Sequence, residues 1–369
     1  MDRHQVEARA ILLTKVGSHS YGINTTGSDV DYKGIFIATK EYYLGLKNIE
    51  QKDRGWDRDS HYFPVLNGVK DLVFYEIRKY LKLAKDANPN ILELLFESGE
   101  FYQYIHPVGQ KLIDNRELFL SKKIKYSYSG YAYAQIRKIK SHRKWLLNPP
   151  GKKPIAEDYG LTDKTALDKT EEKAFITFLW MLIKDRIEYI EEQQELYDLI
   201  SNRIDIKGVI NNNQLPPEFY PYIQNLTKAS DRYMDLLRRT QEYRKDLHYW
   251  KSYQSWLKNR NQSRAELEAK CGYDSKHAAH CIRLVRMGNE ILTTGKVNVD
   301  RRGIDAEELL AIRLGNVGYE VVLAEAEKLF AQLDRSYELS TLPDKVDLEK
   351  INRLAIKLVE EFELRSKTK

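Results

Sequence analysis

Cysteine is nearly absent from this chain, and no long apolar run interrupts it. Only two of its 369 residues are cysteine, Cys271 and Cys281. Two thiols exclude a disulfide-stapled scaffold and supply too few ligands for a cysteine metal site. A membrane span needs about 18 or more apolar residues in a row. The most apolar stretch, 174–183, is shorter and runs into Lys184-Asp185-Arg186, so it reads as a buried helix. The opening Met1-Asp2-Arg3-His4-Gln5 carries no apolar signal region, and a cytoplasmic protein without a membrane partner is expected. No internal repeat is visible, and nothing in the sequence sets the oligomeric state. The composition is that of a folded protein, with 42% hydrophobic residues, 25 Tyr and 5 Trp, which excludes a disordered chain. The length calls for two or three domains. A formal net charge of +6 is compatible with nucleic acid but does not by itself identify it.

What is present is concentrated near the N-terminus. An apolar run, Ala10-Ile11-Leu12-Leu13, leads into Gly17-Ser18-His19-Ser20-Tyr21-Gly22, then Ser28-Asp29-Val30-Asp31, then a second apolar run, Gly34-Ile35-Phe36-Ile37. This reads as strand, glycine turn and strand, with acids where the second strand begins. Alternate residues of an extended chain share a face, so Asp29 and Asp31 are expected to project side by side. Two carboxylates that close repel unless a cation neutralises them. Hard oxygen ligands favour Mg²⁺ or Mn²⁺, with positions left for substrate phosphates. The amides of Gly17 and Ser18 and the Ser18 hydroxyl are placed to meet those phosphates, and the assembly reads as a site for a nucleoside triphosphate. The plainer alternative is that Asp-x-Asp arose by chance and that the Gly, Ser and Asn residues simply form turns.

The combination resembles the nucleotidyltransferases of the DNA polymerase β superfamily, whose signature is an apolar residue, Gly-Ser, a gap, then Ser-Asp-x-Asp. More narrowly, residues 17–22 and 28–34 resemble the nucleotidyltransferases associated with bacterial RNA repair. The likeness continues at 71–80 and 88–95, and again at 273–280, Arg283-Leu284 and 312–315. It covers about 1–115 and 270–325, and the middle is only loosely similar. It implies three metal-holding carboxylates, two on one strand and one on its neighbour. Asp29 and Asp31 fit the first two places. Asp71, heading the run Leu72-Val73-Phe74-Tyr75, is expected to be the third and to help deprotonate the acceptor hydroxyl. Glu76 competes, but suits a helix start, where the dipole favours an acid.

Other residues are weighed the same way. Ser28 is assigned to nucleotide binding or to bracing the Asp29 turn. Tyr21 either stacks on a base or packs. Lys33 shares the strand face of the aspartates, facing a phosphate or solvent. On an expected helix over 274–292, Lys276, His280 and Arg283 share one face, opposite Ala278, Ile282, Val285 and Met287. Such a stripe suits nucleotide phosphates, and the alternative is a solvated basic face. His277 and His280 have a near-helical spacing used for zinc, but no Glu completes a His-Glu-x-x-His motif, which argues against it. A second basic cluster, Lys122, Lys123, Lys125, Arg137, Lys138, Lys140, His142, Arg143 and Lys144, is interleaved with Tyr126, Tyr128, Tyr131 and Tyr133. Tyr133, Arg137, Lys140 and Lys144 line up on a helix expected over 129–147. Cations that track phosphates, mixed with aromatics that stack bases, suit single-stranded nucleic acid. The alternative is a solvated helix whose tyrosines pack inward.

The expected architecture is α+β: a polymerase-β-like α/β core with a mixed sheet, and a mostly helical C-terminal portion. A catalytic part over 1–115 has strands near 10–16, 31–38 and 69–75 and a helix over 76–87. A helical part over 116–369 has long helices over 171–203 and 227–259, loops at 148–154 and 211–217, and helices over 309–330 and 348–362. The expected function is metal-dependent nucleotidyl transfer from a nucleoside triphosphate to an acceptor hydroxyl, an RNA end being the first choice. The rivals are a protein-modifying AMP transferase of regulatory or defence type, and a non-catalytic nucleotide- or RNA-binding module. A phosphohydrolase lacks a histidine-aspartate metal pattern near Asp29.

Overall fold

The computed structural model describes residues 1–53, 59–69, 71–162, 167–187, 220–260 and 262–367. The protein is α+β, with a five-stranded mixed sheet and a mostly helical C-terminal part. Two compact units form, one from 1–146 with 262–369, the other from 147–261. Compactness thus groups the chain differently from a cut at 115, because the C-terminal helices return to the sheet-bearing unit.

In the first unit β1 (Ala10–Val16), β2 (Asp31–Phe36), β3 (Gln51–Lys52), β4 (Leu72–Glu76) and β5 (Tyr102–Ile105) lie in the order β3-β4-β2-β1-β5. The β2–β4 pair is parallel and the others are antiparallel. Residues Ala10 to Leu13 are all at most 2% exposed, which is why β1 reads as an unbroken apolar run instead of alternating. Tyr32, Phe36, Leu72 and Phe74 enter a small core on one face, while Ile11, Leu12 and Ile35 enter the large core on the other. β5 and the short β3, which are not among the strands expected from the sequence, complete the two edges.

Helix Ile77–Lys85 follows β4, and the Glu76 side chain caps it by accepting from Arg78 N at 3.0 Å. Pro107–Asp114 packs on β1 so closely that a Cβ on Gly109 would stand 2.0 Å from the Ile11 carbonyl oxygen. The helix expected over 129–147 begins earlier and runs Ile124–Leu147. Helix Ser275–Thr294 carries buried Ala278, Ile282, Val285 and Met287 on the expected face, and packs against Tyr319–Leu339 and Ala306–Arg313. The single helix expected over 309–330 is instead two. Gly315 adopts φ +73°, which ends the first helix and suits glycine. The last helix is Leu348–Lys367.

The second unit contains helices Lys169–Ile187, Tyr220–Thr227 and Asp231–Asn259 around Leu167, Leu179, Ile223, Met234 and Leu237. Ser230 caps the longest, its hydroxyl accepting from Tyr233 N at 3.2 Å. The remainder of the helix expected to reach 203, and the loop expected at 211–217, lie outside the described residues. Among the described residues, no helix is long and apolar enough to cross a membrane.

One buried ion pair ties the C-terminal helices to the N-terminal loop. Arg283 is 0% exposed and donates to Glu93 at 2.7 Å. Its guanidinium lies 3.7 Å from the ring centre of Tyr21, whose hydroxyl donates to the other Glu93 oxygen at 2.7 Å. Three segments distant in sequence are joined at one carboxylate. Breaking a buried pair leaves a charge uncompensated, at a cost of about 3–5 kcal/mol. Arg283→Met is therefore expected to lower the denaturation midpoint with an unchanged slope in a urea titration.

Candidate active site

Strand register assembles the acids. In β1–β2, Val16 faces Asp31, which brings Gly17 next to the Asp31 carboxylate. In β2–β4, Tyr32 pairs with Leu72, and the Asp71 carbonyl accepts from Tyr32 N at 3.0 Å. One step back along both strands, Asp31 and Asp71 are neighbours at the ladder spacing of about 4.8 Å. Glu76 pairs with Phe36, five residues further along β2, or roughly 16 Å away at the rise of an extended chain. Its carboxylate is buried, accepting from Tyr43 Oη at 2.6 Å and from Arg78 N in the first turn of the following helix at 3.0 Å. Asp71, not Glu76, therefore stands beside Asp31.

The loop between β1 and β2 is shaped by its glycines. Gly17 has φ +80°, and a Cβ there would lie 2.7 Å from Asp31 Oδ2. A side chain at 17 would thus strain the backbone and press on the carboxylate at once. Tyr21 N and Ser20 Oγ both donate to the Gly17 carbonyl, at 3.1 Å each, and Ile23 N donates to the Ser18 carbonyl at 3.0 Å. Ser18 stays partly exposed on this turn. Ser28 braces the approach to Asp29, its hydroxyl accepting from Thr25 N at 2.8 Å. The same hydroxyl meets Arg313 Nη2 at 3.0 Å.

Charge at the site is unbalanced. Asp31 is half-buried, and burial first, then Asp71, raises its pKa above the usual carboxylate range. Asp29 pushes the same way more weakly, while Lys276 and then Lys33 oppose the rise. Asp29 and Asp71 are exposed. The structure thus gathers Asp29, Asp31, Asp71, Gly17, Lys33 and Lys276. Lys33 is drawn inward: Nζ donates to the Asn90 carbonyl at 3.0 Å, and burial lowers its pKa.

The expected basic stripe on helix Ser275–Thr294 is not one surface. Lys276 is exposed. His280 is kept well below the usual imidazole range by burial and by the neighbouring Arg283, and its Nδ1 meets Arg283 Nη2 at 3.3 Å. Arg283 is enclosed with Glu93 and Tyr21, so it is a core residue, and Tyr21 packs under it instead of standing free for a base. Arg137, Lys140 and Lys144 are exposed on helix Ile124–Leu147 as expected. Much of the rest of that cluster is engaged: Lys123 pairs with Asp86 at 2.6 Å and Lys125 with Asp334 at 2.9 Å. Tyr128 is fully buried, and Tyr133 stacks on Phe330 with centroids 4.1 Å apart.

Comparison with known proteins bears on the same segment. Residues 2–147 match the model of the RNA repair pathway DNA polymerase beta family. The chain is 29% identical over 135 residues to a 38.9 kDa protein of the nrdC-mobD intergenic region of Enterobacteria phage T4, covering 35% of this chain and 38% of that one. It is 27% identical over 129 residues to YcgL of Bacillus subtilis strain 168, covering 35% of this chain and 46% of that one. The chain thus spans less than half the length of either relative. No solved structure matches. The family match contains all five strands and Asp29, Asp31, Asp71, Glu76 and Glu93, whereas Lys276, Arg313 and the Arg283 anchor lie beyond it. Arg313 and Glu93 were not singled out as site residues in the sequence. Both carried only the weak signal of sitting in a family-like segment, Arg313 in 312–315 and Glu93 in 88–95.

Two outcomes follow. Asp71→Asn is expected to lower the proposed nucleotidyl transfer about 10–100-fold, the scale of disturbing a metal site, at unchanged stability. Glu76→Gln is expected to cost stability chiefly, and steady-state kinetics with thermal melts separate the two. Because the Asp31 pKa is raised, the folded protein favours the protonated acid, and ionised Asp31 costs stability at neutral pH. Asp31→Asn should therefore raise the melting temperature in chelator at neutral pH, with the gain shrinking as acidification protonates wild-type Asp31.

Proposed function

We propose that this protein is a metal-dependent nucleotidyltransferase that moves a nucleoside monophosphate from a triphosphate to an acceptor hydroxyl, with an RNA end as acceptor. The observation that carries the proposal is the meeting of Asp31 and Asp71 across the parallel strand pair, with Asp29 alongside and Gly17 cut to fit. The donor set fits a hard divalent cation: all ligands are carboxylate oxygens, and their mutual repulsion is already expressed at Asp31. Asp29, Asp31 and Asp71 would hold Mg²⁺ or Mn²⁺. A bound ion would offset the charge that builds on the transferred phosphate and the leaving pyrophosphate.

The chain's own groups do the rest. The amides of Gly17 and Ser18 and the Ser18 hydroxyl receive phosphate oxygens at the turn. Lys276 and Arg313, both from the C-terminal helices and both beside the acids or their loop, supply positive charge to the triphosphate. Lys33 adds to the field from within. Asp71, exposed at the start of β4, accepts a proton from the incoming hydroxyl. Arg283 and His280 serve by holding the helix that presents Lys276.

The RNA acceptor rests on two supports: the description of the matching family, and the exposed row Arg137, Lys140 and Lys144 on helix Ile124–Leu147. A cytoplasmic setting fits that substrate. The test is incubation with α-labelled triphosphates, Mg²⁺ and a mixture of RNA and protein acceptors. Label is expected on RNA and should vanish in the Asp29→Ala/Asp31→Ala variant. Label on polypeptide instead would replace RNA by a protein hydroxyl as acceptor. Triphosphate binding without pyrophosphate release under any acceptor would overturn the enzymatic reading.

A further inference from the structure

A cluster outside the carboxylate site has the composition of a metal centre. Asp274 is fully buried and precedes helix Ser275–Thr294 as its N-cap. Its Oδ2 faces His142 Nδ1 at 3.0 Å, from helix Ile124–Leu147, and His277 Nε2 at 3.6 Å. One ligand atom from each of the three residues lies within 4.8 Å of the others. The neighbouring ligand atoms of a tetrahedral zinc ion, bound at 2.0–2.1 Å, are about 3.3 Å apart. The two distances to Asp274 bracket that edge.

We propose that His142, Asp274 and His277 form a Zn²⁺ site, distinct from the Mg²⁺ or Mn²⁺ site of the aspartates. Two imidazoles and one carboxylate are a borderline-soft set that suits zinc better than magnesium. The carboxylate is oriented as metal ligands are: its second oxygen, Oδ1, accepts from His277 N at 3.1 Å. His142 is steadied by stacking on Trp145, with centroids 5.5 Å apart. The histidine side chains are 14% and 20% exposed, so an ion has a path in. The ion would clamp the start of the helix carrying Lys276 to helix Ile124–Leu147. The zinc partner of His277 would thus be His142 on another helix, 132 residues from Asp274, and not His280.

The experiment uses the full chain with Asp29→Asn, Asp31→Asn and Asp71→Asn, which removes the first metal site and makes the result independent of the proposed activity. The protein is stripped with chelator and titrated with Zn²⁺ and, as a spectroscopic probe, Co²⁺. One equivalent per chain is expected, with visible Co²⁺ bands of a four-coordinate site. Affinity should fall at least about a hundredfold on adding His142→Ala or His277→Ala, with helicity by circular dichroism unchanged. Zinc X-ray absorption on the loaded parent, which needs no histidine variant, should show two imidazoles. No stoichiometric binding, binding indifferent to both histidine changes, or an imidazole-free absorption spectrum would overturn the proposal.

Discussion

The constraint on which this architecture turns is electrostatic. A parallel ladder between β2 and β4 forces Asp31 against Asp71, while the antiparallel ladder to β1 presses Gly17 on the same carboxylate. A sheet built only for stability would not crowd acids at the end of a buried strand. The cost is legible in the raised pKa of Asp31, and Lys276 and Lys33 relieve it in part. A perturbed acid such as Asp31 at a strand end beside a glycine turn is a candidate functional group.

The helical C-terminal segment anchors the turn after β1 and brings cations to the acids. Arg283 is driven through the core to Glu93 and Tyr21, which fixes the turn after β1 from below. From that anchored helix Lys276 emerges toward the acids, and Arg313 reaches Ser28 from the next helix. The region matched by the family supplies the carboxylates and Lys33, and the distal segment supplies Lys276 and Arg313.

Much of this was visible in the order of residues. β1 occupies 10–16 as the apolar run indicated, and the Gly-Ser and Asp-x-Asp pair located the acids, because local spacing encodes strand, turn and strand. The contest between Asp71 and Glu76 was decided by register, which one sequence does not carry. Periodicity put Arg283 on a polar stripe, since it ranks faces by composition and cannot foresee that the stripe meets a buried glutamate 190 residues away. The break at Gly315 was missed because one glycine inside a helical pattern is often tolerated. The His142–Asp274 contact was invisible for the same reason as Glu93: both pairings are made by tertiary packing alone.

The most direct test of the central claim is anomalous diffraction from crystals soaked with Mn²⁺ and a non-hydrolysable triphosphate. The account predicts manganese bound by Asp29, Asp31 and Asp71, with the triphosphate running from the Gly17-Ser18 turn toward Lys276 and Arg313. Manganese and triphosphate both bound elsewhere, with the three carboxylates left bare, would contradict it.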